Sequence, residues 1–419
     1  MSGKGFCCGR WVKVCVVAMG VAVFMAWGSP GIAQTAKAAK PVTIGVIEPL
    51  TGPAAAGGKW LKMAWELAVE KINAEGGIKS LGGAPIKLVF GDHQGKQEVA
   101  ISEVERLIQQ EKVSVVGGAQ LSGIVVAATT VTERLQVPFV VDVPAAAPIT
   151  ERGFKYVFRT NINGRTYGKT FVALIKDLNA QGANIKKVAL AYPDTEAAKS
   201  FLGAAGQEAK AGGLDVVFDE AFPLDMQDFT TLLTKVKVRA PDIIGTNDNH
   251  VSQAIQYVKQ AADIKLKPKL FISANGTVEF PDWGAGVGKL KDGYCIMVQW
   301  NPDLPGANKL ADEFYNKYKE PINGHAALGV QAAYVVAEAL ELAKSSDPKL
   351  IRDALTKVRI IPGPRLVMPF PFVQFDETGQ NIGARCIVVQ WQGEQRVTVY
   401  PKEVATKKII VPFDYWSAK

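Results

Sequence analysis

Histidine and cysteine are scarce in this 419-residue chain, with 3 and 5 copies respectively. So few soft ligands argue against a His- or Cys-rich metal centre. The phosphate-cradling motifs are missing too. After the first apolar run the turn reads Thr51-Gly52-Pro53-Ala54-Ala55-Ala56-Gly57-Gly58, which lacks the G-x-G-x-x-G spacing of a dinucleotide fold. No G-x-x-x-x-G-K-[ST], G-x-S-x-G or H-E-x-x-H occurs. His93, His250 and His325 stand far apart without motif partners and read as structural or surface residues. These gaps remove the common routes to an enzyme and imply no cofactor. The 48 basic and 40 acidic residues are spread along the chain, giving a net charge of +8 without a basic block. That pattern excludes an obvious nucleic-acid surface.

What is present is a globular composition, 48% hydrophobic and 21% charged. At roughly 150 residues per domain the length suits two domains or a little more. The first 33 residues read as a secretory signal peptide. Lys4, Arg10 and Lys13 precede an apolar run, Val14 to Trp27, too short to span a bilayer comfortably, and Gly31-Ile32-Ala33 supplies small residues before Gln34. Cleavage there leaves 386 residues and, with three basic and no acidic residues lost from +8, a charge of +5. Cys7, Cys8 and Cys15 lie at or before the start of the apolar run, so no lipoprotein cysteine follows it. The later sequence offers no stretch that reads as a membrane span. The two remaining cysteines, Cys295 and Cys386, sit in strand-like runs. They form a disulfide if neighbouring strands bring them together, or remain two buried thiols.

Hydrophobic periodicity alternates between strand and helix. Strands are expected at 42–50, 86–90, 113–116 and 138–143, with helices at 59–74, 97–110 and from Ser122. The alternation restarts with helices at 167–178, 195–211, 229–238 and 251–262 between strands at 187–192, 214–218, 242–246 and 269–273. Three more helices, 308–318, 326–344 and 348–358, lead to a β-like end. Such an order predicts α/β architecture, with parallel sheets covered by helices in two similar lobes. No low-complexity linker is present, which predicts short crossings and a hinge.

In open α/β sheets, ligands sit beyond the carboxyl ends of the strands. The loops there, including 50–59, 117–122, 143–150, 192–198, 246–250 and 273–277, are rich in Gly, Ala, Ser, Asn and Asp. Small residues let backbone N–H groups approach a ligand, and helix N-termini favour an anion. Ser122 stands at the start of a helix, where its hydroxyl either caps that helix or points at a carboxylate. Trp60, Tyr167, Asn247 and Asn249 are further candidates for the cleft wall, Trp60 being equally at home in the core.

Several segments together resemble one family. These are Val42 through Gly52-Pro53, Glu70-Lys71-Ile72-Asn73-Ala74-Glu75-Gly76-Gly77-Ile78, the strand ending at Asp92, Pro138-Phe139 and Tyr156-Val157-Phe158-Arg159-Thr160. In order and spacing they are similar to the periplasmic leucine/isoleucine/valine-binding proteins, the type I receptors of branched-chain amino acid ABC importers. The resemblance spans nearly all of the chain after the signal segment. It implies two Rossmann-like lobes joined by three crossings, a small-molecule ligand between them, closure on binding, no chemistry, and delivery to an inner-membrane ABC permease by a periplasmic monomer. The expected lobes are 34–160 with 297–365, and 161–296 with 366–400, leaving a tail at 401–419.

Carried over residue by residue, the family's carboxylate-holding Ser falls at Ser122 and its Ala/Thr segment at Ala145 and Ala146, where the hydroxyl is lost. Its aromatic of the first loop falls at Gly57, its second-lobe Tyr near Ala197, a further Tyr near Asn249, and the Glu that pairs with an amino group at Asn275. Asp248 either substitutes as the carboxylate or serves as a turn residue. A desolvated ammonium wants a carboxylate partner. Losing that Glu and two aromatics therefore implies a roomier site for a small carboxylate, a branched-chain amino acid or a related amide, aromatic or keto acid, with or without an α-ammonium. Two other readings stay open here: a ligand sensor acting through a signalling partner on the same scaffold, and a secreted α/β enzyme with an unfamiliar site.

Overall fold

The computed structural model describes residues 39–247, 250–274 and 276–416. The signal-peptide segment lies outside these residues, as do Asp248, Asn249 and Asn275. The chain opens β1 (Val42–Glu48), α1 (Ala55–Ala74), β2 (Ile86–Asp92), α2 (Gln97–Gln109), β3 (Val115–Gly118), α3 (Ser122–Leu135), β4 (Phe139–Val141) and β5 (Val157–Arg159). These strands form one parallel sheet in the order β2-β1-β3-β4-β5.

The second run is α4 (Gly164–Ala180), β6 (Lys187–Pro193), α5 (Glu196–Ala211), β7 (Asp215–Phe222), α6 (Thr230–Arg239), β8 (Ile243–Thr246), α7 (Val251–Asp263), β9 (Leu270–Ser273), α8 (Pro281–Val287) and β10 (Cys295–Val298). Then come α9 (Asn308–Tyr318), α10 (Gly324–Ala343), α11 (Pro348–Leu355), β11 (Arg359–Ile360), β12 (Val373–Gln374), β13 (Ile387–Gln392) and β14 (Gln395–Tyr400). The second sheet runs β14-β13-β10-β9-β8-β6-β7. Its β6 to β10 are parallel, and the β13–β14 hairpin adds an antiparallel edge. Both sheets carry helices, so the structure is the expected α/β fold with two sheet-centred lobes.

The first sheet shows why its strands read as nearly unbroken apolar runs. Val42, Ile44 and Val46 face α1 and α10, whereas Ile47, Val116 and Val141 face α2 and α3. A parallel strand buried on both faces has no polar side to show. The chain crosses between the sheets three times, after Arg159, after Val298 and between Gln374 and Ile387. The middle crossing returns α10 to the first sheet, against α1, β3 and β4. By length and composition α10 is apolar enough to cross a membrane, which corrects the expectation that no such stretch follows the signal segment. Here it is a core helix, with His325 through Val336 continuously buried. The segment after Tyr400 packs on the second sheet, where the Tyr415 hydroxyl donates to the Gly293 carbonyl at 2.9 Å.

Helix starts and strand ends shift modestly from the expectations. α1 begins at Ala55, so half of the supposed Gly/Ala loop is helical. β5, too short at three residues to show a period, and α8 have no counterpart in the periodicity reading. The cysteines are not paired. In the antiparallel β10–β13 register Cys295 faces Gln390, four residues along the strand from Cys386. At ~3.3 Å per residue that offset is about 13 Å, beyond disulfide reach. Both thiols are buried, and burial pushes both well above the usual thiol range. A chain starting at Gln34 should therefore show no thiol reactive toward Ellman's reagent when native and two after unfolding. Loss of both thiols on air oxidation of the native protein would contradict the register.

Candidate functional site

A cavity of about 330 Å³ lies at the carboxyl ends of strands from both sheets. One wall comes from the first sheet: Gln120 to Ile124 after β3, and Val143 to Ala145 after β4. The facing wall comes from the second: Asp194 to Ala197 after β6, with Lys199, Phe201 and His250. Its floor is built near the crossings by Asn161, Tyr167, Gln299 and His325. The volume falls within the usual range for small-molecule sites.

Ser122 is the first residue of α3, directly after the N-cap Leu121, and so does not itself occupy the cap position. Instead its Oγ accepts from the Ala146 N–H at 3.3 Å. With the acceptor side so engaged, the hydroxyl proton is directed elsewhere. The N–H groups at the start of α3 precede the helix's own hydrogen-bond ladder. Hydroxyl, N–H groups and helix dipole together suit a carboxylate.

Two buried ionic devices hold this wall in place. On one side, Glu48 at the end of β1 accepts the Gln120 N–H at 3.1 Å, and Asp142 after β4 accepts the Trp65 indole N–H at 3.1 Å and the Val143 N–H at 2.6 Å. Burial, then the neighbouring Asp142, holds Glu48 well above the ordinary carboxyl range. Asp142 is also raised by burial, with the Val143 and Trp65 bonds pulling it back. The two carboxyls therefore share a proton held on Glu48. Gly118 turns directly over Glu48 at φ +97°, and a Cβ there would stand 2.6 Å from Glu48 Oε1. On the other side, fully buried Arg159 donates to the Ala146 carbonyl at 2.6 Å, Thr150 Oγ1 at 2.7 Å and Gln380 Oε1 at 2.6 Å. Burial lowers the Arg159 guanidinium to about 9, leaving it charged at neutral pH. Its hydrogen-bond partners are all neutral, and the nearby carboxylates Glu151 and Asp376 favour its charged form.

Of the residues carried over from the resemblance, Ser122, Ala145 and Ala197 meet around the cavity. Ala146 lies directly behind, its N–H on Ser122. Gly57 does not line the cavity; the Gln120 side chain fills its place, 1.9 Å from where a Cβ would stand. Trp60 belongs to the core, stacked on Phe314 with centroids 5.6 Å apart. Asn247 is fully buried outside the cavity wall. His250 and His325, expected to be structural, both border the cavity. Burial depresses both, His325 to about 4, so they are neutral at pH 7. Gln299 is missing from the expected loops, although it follows β10 just as the other loops follow their strands. His325 carries a similar signal: it stands in the first turn of α10 behind the N-cap Asn323, whose side chain accepts from Ala326 N–H.

The carboxylates at the cavity belong to its outer part. Asp194 is paired with Lys199, and Glu196 is exposed. Glu279, deeper in the second lobe, accepts from the Gly324 N–H at 2.9 Å and contacts Arg396 at 3.4 Å. Burial raises it to about 7, against the pull of Arg396 and the Gly324 N–H. The two walls also touch: the Ala147 N–H donates to Ser200 Oγ on α5 at 3.0 Å.

Two lobes of parallel sheet that face each other across a cavity define a two-domain solute-binding clamp. A family model described as "Periplasmic binding protein" matches residues 41–396. The chain belongs to this family. A Leu/Ile/Val-binding protein homolog from Brucella suis is 30% identical over 408 residues, covering 95% of this chain and 99% of the relative. The branched-chain amino acid binding protein LivJ of Streptococcus pneumoniae, solved with isoleucine, superposes with a TM-score of 0.73 at 23% identity, over 86% of this chain and 100% of that one. A solute-binding protein of Rhodopseudomonas palustris, solved with benzoate, gives 0.74 at 21% identity, over 89% and 99%. The branched-chain amino acid class of periplasmic binding protein is thus the class of this chain.

The shared proton makes a testable mark on stability. A carboxyl raised in the fold stays protonated where the unfolded chain has already released its proton. Stability therefore falls as pH rises from the ordinary carboxyl value through the raised one. Glu48→Gln keeps an acceptor for Gln120 and a donor toward Asp142 but removes that proton. Melting curves should show the variant gaining on the parent by a few degrees between pH 5 and pH 8. A difference that stays constant across that range would contradict the shared proton.

Proposed function

We propose that this protein is a periplasmic receptor that captures a small carboxylic acid between its lobes and passes it unchanged to an inner-membrane ABC permease. One observation carries the reading: Ser122 Oγ, engaged by the Ala146 N–H, leaves a hydroxyl proton and a helix N-terminus free inside a cavity shared by both sheets. A carboxylate is also what the isoleucine of one structural neighbour and the benzoate of another have in common. In this reading residues 1–33 are the export signal and the working protein is a monomer. The lobes are 34–160 with 297–365, and 161–296 with 366–400, and they close about the three crossings. The Ala147–Ser200 bond is a contact of the closed form.

The ligand needs no α-ammonium. Among the described lining residues the carboxylates are Asp194 and Glu196, the first already paired and both toward solvent. Glu279 bonds Gly324 and Arg396 through Oε2 and does not line the cavity. Among the described residues the ligand-facing set then comprises Ser122, Ala145 and Ala197, with Ala146 behind them on Ser122; the resemblance adds Asp248, Asn249 and Asn275. Gly57 acts indirectly, by making room for the Gln120 side chain.

Calorimetry tests the reading with leucine, its keto acid 4-methyl-2-oxopentanoate and benzoate. At least one acid without an ammonium group should bind more tightly than leucine. Ser122→Ala should weaken that acid about 10- to 100-fold, the loss of one hydrogen bond to a charged group. Submicromolar leucine binding with weak binding of both other acids would overturn the ligand assignment, and an unaffected Ser122→Ala would overturn the site.

A further inference from the structure

We propose that Tyr167, Gln299 and His325 form a specificity-determining floor that accepts a neutral polar substituent, a hydroxyl or a carbonyl, on the ligand acid. This inference rests on the function proposed above and names the ligand class more narrowly. The three residues arrive from different parts of the chain. Tyr167 lies in the second turn of α4 after the first crossing, Gln299 directly follows β10, and His325 lies in the first turn of α10 after the second crossing. All three line the cavity, yet Tyr167 is only 5% exposed, Gln299 3% and His325 7%.

Polar groups so deeply buried are costly unless bonded. Gln299 Nε2 donates to Tyr167 Oη at 2.7 Å, which uses the hydroxyl as an acceptor. The hydroxyl's own proton has no acceptor among the described residues. His325 Nδ1 is likewise buried without a partner. Packing fixes both rings. Phe201 lies against Tyr167 with centroids 4.4 Å apart, and Phe280 meets His325 edge-on at 5.8 Å. Burial keeps the Tyr167 phenol well above its usual range and His325 near 4, so both are uncharged at neutral pH.

The floor therefore offers one committed donor and one unpartnered ring nitrogen, with no charge. An ammonium or a second carboxylate there would lose its hydration without gaining a counter-ion. A methyl group would leave the Tyr167 proton unbonded. A hydroxyl or carbonyl oxygen takes that proton. Sites built to bond a substrate hydroxyl discriminate strongly against the analogue lacking it.

Rigid acids that differ by one hydroxyl provide the test. The chain from Gln34, as the parent and as Tyr167→Phe and Gln299→Met, is titrated calorimetrically with benzoate, 3-hydroxybenzoate and 4-hydroxybenzoate, with leucine as a reference. The ratio within one protein preparation is independent of the active fraction, and melting curves report whether each variant folds. The parent should prefer one hydroxybenzoate over benzoate by about tenfold or more. Tyr167→Phe should bring that ratio to within about twofold, and Gln299→Met should reduce it. The floor assignment fails if the parent binds benzoate and the hydroxybenzoates equally, if Tyr167→Phe keeps the preference, or if leucine binds and no benzoate does. If neither these acids nor 4-methyl-2-oxopentanoate binds, the function proposed above fails as well.

Discussion

A parallel strand delivers its chain end, and the start of the next helix, to one edge of its sheet. Everything at the site of this protein follows from that constraint applied twice. Two sheets present their carboxyl edges to one cavity, so helix starts, small-residue turns and unladdered N–H groups gather there from both sides. Such an edge is electrostatically suited to an anion before any side chain is chosen. The side chains then stiffen it. Glu48 and Asp142 with their shared proton grip the turn before α3, and Arg159 grips the turn after β4. The binding wall is thereby held from below by buried polar side chains whose bonds run to the wall or its supports.

This arrangement divides the labour between lobes and floor. The first-sheet wall supplies Ser122 and is rigid by its hydrogen bonding. The second-sheet wall contributes Thr195 and Ala197 at the start of α5, and meets the first through Ala147 and Ser200. The floor comes from residues beside the crossings. Periplasmic binding proteins are a standard example of hinge closure.

The α/β order was legible because strands buried on both faces and helices with one apolar stripe leave opposite signatures in the sequence. Ser122 was legible because a helix start after a Gly-Gly turn is a recognisable place. What the sequence concealed is tertiary. Nothing local announces that Glu48 and Asp142, 94 residues apart, will share a proton, since each looks like an ordinary polar residue at a strand end. Gly57 looked like an enlargement of the cleft, yet the amide of Gln120 occupies the space. His325 and Gln299 read as background residues because their meaning arises only when the crossings bring α10 and β10 beside α4. The separation of Cys295 and Cys386 likewise depends on a register that no periodicity reveals.

The central claim is mechanical: a clamp that encloses a small acid and returns it unaltered. Small-angle X-ray scattering tests it most directly, performed on protein stripped by unfolding and refolding and then saturated with the compound extracted from the native preparation. The account predicts a smaller radius of gyration in the saturated sample, with the same compound, unchanged in mass, recovered afterwards. An unchanged radius, or a compound recovered as a different molecule, would contradict it.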